Sequence, residues 1–347
     1  MNVLKKLQNN LLKSAILIFT FFSSVCVSAQ PEVPEQINIL FYNTENLFDV
    51  KDDPLTQDEE FLPDGDRHWT NFRLNKKLNQ LSKLLLSAAG FEPPEIIGLA
   101  EVENREVLEM LLKNTALKNY SYTIVHKDSP DERGIDVAML FRPDRIKPTT
   151  YRYIPVLNEK QEIQSTREIL YAGFRLPEED TIHVFFNHWP SRYQGQAETE
   201  IYRFQAAKAL KDAIGLLYQI NPSAKIIIMG DFNDEPQNKS MKGVLQAVGK
   251  DDQKKGSELI NLSYSWKQGT IKYRQTWSVF DQIIVSDQLF FDEGWQTSID
   301  EAKIVKFPFL LEDDLKYQGK KLNRTYVGFR YHGGFSDHLP ILLKLVK

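Results

Sequence analysis

The stretch that most constrains this chain is Ile226-Ile227-Ile228-Met229-Gly230-Asp231-Phe232-Asn233. Four successive apolar residues between Lys225 and Gly230 leave no polar face, so they fit a strand buried on both sides, in the interior of a sheet covered by other layers. The strand delivers Asp231 and Asn233 at its carboxyl end, where residues i and i+2 share a face while the chain stays extended. A carboxylate beside a neutral amide suits a site that activates water and holds a charged substrate. Taken alone, a Gly-Asp-x-Asn run after a strand is most often only a turn, because Asp and Asn satisfy local backbone there.

Other apolar segments give that strand its company. Ile37 to Tyr42 reads as a first strand ending at Asn43, and Ile96 to Ala100 as a buried strand ending at Glu101. Leu74, Leu78, Leu81, Leu84 and Leu85, with Phe72, have helical spacing over Asn71–Ala89, stopped by Gly90 and Pro93-Pro94. A second helix is expected from about Arg105 to Leu117, and a long one from about Ala197 to Tyr218. Tyr122–His126 and Asp136–Phe141 read as strands, Ile169–Arg175 and Thr181–Asn187 as a hairpin turning at Pro177–Asp180, and Gln282–Val285 and Pro340–Val346 as the last strands. Strands alternate with helices, yet some are joined as hairpins, which implies mixed sheets flanked by helices.

The ends of the chain set its boundaries. Residues 1–29 read as a signal peptide: Lys5, Lys6 and Lys13, an apolar run from Ala15 to Phe22, and small residues Val27-Ser28-Ala29. The run is too short for a comfortable membrane span, so no stable membrane insertion is expected. Residues 30–36 read as a tether and 37–347 as one domain, expected to be monomeric and, with the signal, secreted or periplasmic. The single cysteine, Cys26, lies inside the signal, which leaves the remainder with no disulfide and no thiol nucleophile. Without residues 1–29 the balance is 40 bases against 47 acids, a net charge of −7. That is not the footprint of a protein that coats nucleic acid, though it leaves room for a local basic groove. Residues 49–66 hold eight acids and one lysine and read as a solvated loop.

Polar residues recur where strands begin or end: Asn43, Glu101, Asn187-His188, Asp231, Asn233, Asp281 and Ser336-Asp337-His338. Each has a bland explanation, such as a strand-end turn for Asn43 or a helix cap for Glu101. Asp281 is the hardest to explain away, because the apolar run after it implies burial, and a buried carboxylate needs a partner such as histidine. In order and spacing, Phe41-Tyr42-Asn43, Ala100-Glu101, Asn187-His188, Gly230-Asp231-Phe232-Asn233, Asp281-Gln282-Ile283-Ile284 and Ser336-Asp337-His338 resemble the endonuclease/exonuclease/phosphatase superfamily. The match spans positions 41 to 338.

The resemblance implies an α/β fold, a four-layer αββα sandwich of two mixed β-sheets, and a hydrolase of phosphoester bonds. It implies Mg²⁺ or Mn²⁺, with Asn43, Glu101 and Asp337 as oxygen ligands. Asp231 would orient and deprotonate the attacking water, and Asn233 would hold water or phosphate. His338, oriented by Asp281, and His188 opposite would contact phosphoryl oxygens or relay a proton. Arg167 matches a phosphate-contacting arginine of the deoxyribonuclease branch. Asp136 is the candidate to orient His188, against an equal alternative as the outward residue of an alternating strand, and Glu45 and Asn46 compete with Asn43 as ligand. The abasic-site branch carries a tyrosine near Arg133–Asp136 that is absent here, which argues against that activity.

Substrate is the thinnest reading. Asn187, Arg192 and Arg203 resemble secreted bacterial nucleases, and Lys320, Lys321, Arg324 and Arg330 are placed to grip flanking phosphates of DNA or RNA or to line an ordinary solvated loop. Against nucleic acid stand the net charge and the acidic loop. A small or lipid phosphoester is the alternative, with a sphingomyelinase ranked lower because no exposed aromatic hairpin is evident, and a non-catalytic binding module ranks last.

Overall fold

In the computed structural model, described over residues 36–176, 180–252, 259–292 and 294–347, the buried central strand is β8 (Lys225–Asp231), and every residue of it is buried. The proposed signal peptide, the tether up to residue 35 and the hairpin turn at 177–179 lie outside the described residues.

Two large sheets stack face to face. The first contains β1 (Gln36–Leu47), β2 (Ile96–Val102), β3 (Thr123–Val125) and β4 (Asp136–Phe141), with β14 (Ala302–Ile304) and β19 (Ile341–Val346), in the order β14-β19-β1-β2-β4-β3. The second contains β5 (Lys147–Ile154), β6 (Ile169–Arg175), β7 (Thr181–His188), β8, β9 (Ala247–Val248), β10 (Leu259–Asn261) and β13 (Asp281–Ser286), in the order β5-β6-β7-β8-β13-β10-β9. Both are mixed: β1–β2 and β7–β8 run parallel, while β1–β19 and β8–β13 run antiparallel.

The unbroken apolar runs follow from two buried faces. Ile227 and Met229 point with Ile39, Phe41, Phe186 and Leu343 into the core between the sheets. Ile226 and Ile228 point the other way, with Phe185, against Ala206, Leu210 and Ile214 of α3 (Gln196–Ile220). On the outside of the first sheet, Leu74, Leu78, Leu81 and Leu85 of α1 (Asn71–Ser87), with Leu108 of α2 (Arg105–Asn114), cover Leu40, Tyr42, Ile97 and Leu99. The result is the expected four-layer sandwich. Gly98 lets the sheets meet closely: a Cβ there would stand 2.3 Å from Cδ1 of Phe186.

Three features differ from the sequence reading. The exposed edge strand β5 was not visible in the sequence, nor were the short hairpins β11 (Ile271–Tyr273)–β12 (Thr276–Ser278), β15 (Leu311–Asp313)–β16 (Lys320–Leu322) and β17 (Tyr326–Val327)–β18 (Arg330–Tyr331). The acidic loop is not merely solvated: Asp49, Asp58 and Phe61 are buried, and Phe61 stacks on Phe48 at 4.2 Å. Lys77, on the apolar face of α1, is buried and donates to Thr325 Oγ1 at 2.6 Å and to the Phe335 carbonyl at 2.5 Å. No helix among the described residues is long and apolar enough to cross a membrane.

Candidate active site

Strand register assembles the site. His188 of β7 pairs with Asp231 of β8, which pairs in turn with Asp281 of β13, so three strands place the three side chains in one row at the sheet edge. From the facing sheet, β1 and β2 bring Asn43 opposite Ala100, next to Glu101. Both strands leave regular geometry there: Glu45, Asn46 and Glu101 take φ of 53°, 56° and 59°, a left-handed backbone that costs non-glycine residues energy and clusters at functional sites. The segment before β19 closes the ring, with Ser336 Oγ donating to the Asn43 carbonyl at 2.7 Å.

The side chains converge on Asp231, which is 1% exposed. Asn43 Nδ2 donates to its Oδ2 at 3.1 Å and lies 3.4 Å from Glu101 Oε1. The Nε2 atoms of His188 and His338 each stand 3.7 Å from Asp231 Oδ2. His338 Nδ1 meets Asp281 Oδ2 at 2.7 Å, with both residues buried. Burial and the nearby charge of Asp281 push the Asp231 carboxyl up to about 7, against the lowering influence of His338. For His338, burial favours the neutral ring, but the carboxylates of Asp281 and Asp231 outweigh it and hold the imidazole well above its usual range. His188 goes the other way: burial, then the positive charges of Arg167, Arg133 and His338, hold it well below that range. The site therefore pairs an imidazolium at His338 with a neutral imidazole at His188.

The donors fit a divalent cation by their charge. Glu45, Glu101, Asp231, Asp281 and Asp337 supply five carboxylates, oxygen donors of the type a hard divalent cation takes. Ligating oxygens of Asp231 and Asp281 and a His338 nitrogen lie within 4.8 Å of one another. Asp281 Oδ1 is buried with no hydrogen-bond partner among the described residues. Burial alone would raise the Asp337 carboxyl, but Arg324, His338 and Lys77 hold it below its usual range, so it stays ionised.

Several expected roles are not what the geometry provides. Asn43 turns its Oδ1 back to accept the Glu45 N–H at 3.0 Å and presents its Nδ2 to the carboxylates, so it bridges acids rather than offering an oxygen. Asp136 does not orient His188. It accepts from Ser129 N at 2.8 Å and pairs with His126 Nε2 at 3.0 Å, a partner only ten residues away. His188 Nδ1 has no hydrogen-bond partner among the described residues.

Arg167 is buried and donates to Asp131 Oδ2 and to the Trp189 carbonyl, both at 2.8 Å. Arg192 donates to the Asn233 carbonyl at 2.7 Å and to Asp234 Oδ1 and Asn238 Oδ1 at 2.9 Å each. Asn187, fully buried, accepts from Trp189 Nε1 at 3.1 Å. All three brace the loops that carry His188 and Asn233. Arg324 lies between Glu45 Oε1 at 3.2 Å and Asp337 Oδ2 at 2.8 Å, with its side chain 41% exposed. Asn233, at φ 51°, donates its amide to the Trp189 carbonyl at 2.9 Å. Asp234 went unnoticed in the sequence. It anchors the turn through Arg203 Nε at 2.8 Å, Arg192 and Ser240, and an acid next to a turn carries no local sign of such partners.

Known proteins share this fold. The family described as the Endonuclease/Exonuclease/phosphatase family matches residues 38–347. No curated protein sequence matches the chain. Among solved structures, a Bacteroides thetaiotaomicron endonuclease/exonuclease/phosphatase family protein is similar at TM-score 0.55 and 15% identity, covering 90% of this chain and 98% of that one. D. rerio TDP2, humanized by mutation, is similar at TM-score 0.55 and 14% identity, covering 90% and 100%. A mannosyl-6-phosphatase of Bacteroides thetaiotaomicron is similar at TM-score 0.56 and 14% identity, covering 90% and 100%. At these identities the likeness is one of fold.

Proposed function

The chain belongs to the endonuclease/exonuclease/phosphatase family, whose members are phosphoester-hydrolysing enzymes dependent on divalent metal, and from that premise we propose that it cleaves phosphoesters by direct attack of water. The observation that carries this reading is the convergence on Asp231 Oδ2 of Asn43 Nδ2 at 3.1 Å and of two imidazole Nε2 atoms at 3.7 Å.

In the proposed mechanism Asp231 accepts the proton of the attacking water. Its pKa of about 7 is matched to a base working near neutrality. His338, kept charged by Asp281, contacts a phosphoryl oxygen and stabilises the charge that grows on it. The neutral His188 acts as a hydrogen-bond partner on the opposite side. Asn43 holds Asp231 and Glu101 in register. Glu101 and Asp337 are the residues that would hold Mg²⁺ or Mn²⁺, which supplies charge neutralisation on the phosphoryl group and the leaving oxygen when bound.

The substrate reading follows the cations. Arg167, expected to grip a phosphate backbone, is buried on Asp131, the half-buried Arg192 is paired with Asp234, and Asn187 is fully buried. A nucleic-acid track needs several exposed cations in a row, so a small phosphoester is favoured over DNA or RNA. The test is a panel of p-nitrophenyl phosphate, bis-p-nitrophenyl phosphate, plasmid DNA and RNA, with Mg²⁺ or Mn²⁺ and with chelator. Chelator-sensitive turnover of small esters, lost in Asp231→Ala, is expected; rapid digestion of plasmid would return the nuclease assignment, and inertness toward all four would refute hydrolysis. The reading includes export through residues 1–29, checked by the N-terminal residue of protein recovered outside the cytoplasm.

A further inference from the structure

Beside the candidate metal ligand Asp337 opens a pocket of about 290 Å³, lined among others by Lys272, Arg274, Lys316, Tyr317 and Arg324. No sandwich strand contributes to it. Its walls come from the three hairpins β11–β12, β15–β16 and β17–β18, and an isolated bridge between Ile271 and His338 joins the first hairpin to the site.

The floor is fixed. Lys272 Nζ sits 2.7 Å from Asp314 Oδ2 and donates to the Lys320 carbonyl at 3.0 Å, which locks the β11–β12 and β15–β16 hairpins together. The carboxylates of the lining are each matched: Asp314 with Lys272, Glu312 with Lys321 at 3.1 Å, and Asp337 with Arg324 at 2.8 Å. Two cations remain at the mouth. Among the described residues neither Arg274 nor Lys316 pairs with a carboxylate; each lies over a neighbouring tyrosine ring, Tyr273 at 5.2 Å and Tyr317 at 5.1 Å. Arg274 also occupies the first turn position between the paired residues Tyr273 and Thr276, at φ 54°. A two-residue hairpin ordinarily gives that position to glycine, so the chain accepts a backbone cost to present a guanidinium there.

We propose that this pocket is a subsite for a second anionic group of the substrate, held by Arg274 and Lys316 while the scissile phosphate lies at Asp231 and Asp337. The inference rests on the phosphoester reading and narrows it to small molecules carrying two anionic groups. At about 290 Å³ the pocket is at the lower end of ligand sites, roughly 300–1,000 Å³, which suits one phosphate or carboxylate and its attached ring rather than a polymer.

The test is calorimetric titration of Asp231→Asn, which would not consume its ligand, in Mg²⁺. The probes are adenosine 3′,5′-bisphosphate and fructose 1,6-bisphosphate, each against its monophosphates. At least one bisphosphate is expected to bind about tenfold or more tightly than its monophosphates, the size of one charged hydrogen bond. Adding Arg274→Gln and Lys316→Gln, both at exposed positions, should abolish that preference. Equal affinity for mono- and bisphosphates, or a preference that survives the two substitutions, overturns the subsite. Turnover of the four-substrate panel by the unmodified enzyme is measured separately: turnover without charge preference refutes the subsite alone, and charge preference with inertness toward all four refutes the hydrolase alone.

Discussion

Replacing Asp281 by asparagine separates charge from shape at the His338 dyad. Asparagine fills the same volume and offers an oxygen to His338 Nδ1, 2.7 Å away, so the ring keeps its place while the charge that sustains the imidazolium is removed. Asp281 is the leading influence that raises the His338 pKa against burial. Without it only Asp231 and Asp337 oppose burial, so the imidazole pKa falls and a larger share of the ring is neutral at physiological pH. Losing one preorganised charged donor to a phosphoryl oxygen costs about 10²–10³-fold in kcat. The loss should depend on pH in a defined direction. Asp281 raises the Asp231 pKa directly, but the His338 charge that it sustains lowers that pKa by a larger influence, so the substitution keeps the base ionised further into acid only where His338 carries its proton. As pH falls and His338 regains its proton, the variant should recover part of its loss relative to wild type. The assay is kcat against pH on bis-p-nitrophenyl phosphate at saturating Mg²⁺, with the His338 ring titrated by NMR and thermal melting as a control for folding. A loss of equal size at every pH, or a His338 pKa unchanged in the variant, would refute the assigned role of the dyad.

Other perturbations probe the scaffold. Gly98→Ala places a methyl 2.3 Å from the Phe186 ring and should destabilise by about 1–3 kcal/mol, read from urea midpoints. Arg203→Met removes a fully buried guanidinium 2.8 Å from Asp234; Arg192 and Ser240 still hold that acid, so a cost of about 3 kcal/mol is expected, with a lower thermal midpoint. Burial, with the charges of Asp49, Asp58 and Asp53, pushes the Glu103 carboxyl up to about 8. A folded pKa above the unfolded value gives stability that is full below about 4.5 and is lost as pH rises to about 8. Glu103→Gln should stay level across that window, and its urea midpoint should overtake wild type toward the alkaline end.

What was legible in the sequence is what two buried faces dictate. The run Ile226–Met229 declared an interior strand because helix α3 covers one side and the opposing sheet the other. The same reasoning located β1, β2 and the ends at Asn43, Glu101 and Asp231. Edge strand β5 stayed hidden because its first six residues are exposed and impose no alternation. Lys77 looked like an ordinary helix lysine because its partners, Thr325 and Phe335, lie 248 and 258 residues away. The partners of Arg167 and Arg192 were hidden for a related reason: a guanidinium that braces a loop and one that grips phosphate look alike until their acceptors are known, and Asp131 and Asp234 are far off in sequence. Asp136 was claimed instead by the nearby His126.

The division between legible and hidden has a physical origin in register. His188, Asp231 and Asp281 are direct cross-strand partners, so a slip of one residue in β8 would turn Asp231 away from the site and expose Ile227 and Met229 to the wrong layer. The apolar residues that forbid that slip are therefore the same ones that aim the proposed chemistry, and a sequence that shows the core shows the carboxylate row with it. The hairpins around Arg274 and Lys316 answer to no such constraint. Their strands are two or three residues long and their tips are exposed, so no hydrophobic pattern fixes their charges. The end of the site proposed to choose the substrate is thus free to vary while the row proposed to perform hydrolysis stays fixed, and a change of substrate in this chain would fall first on Arg274 and Lys316.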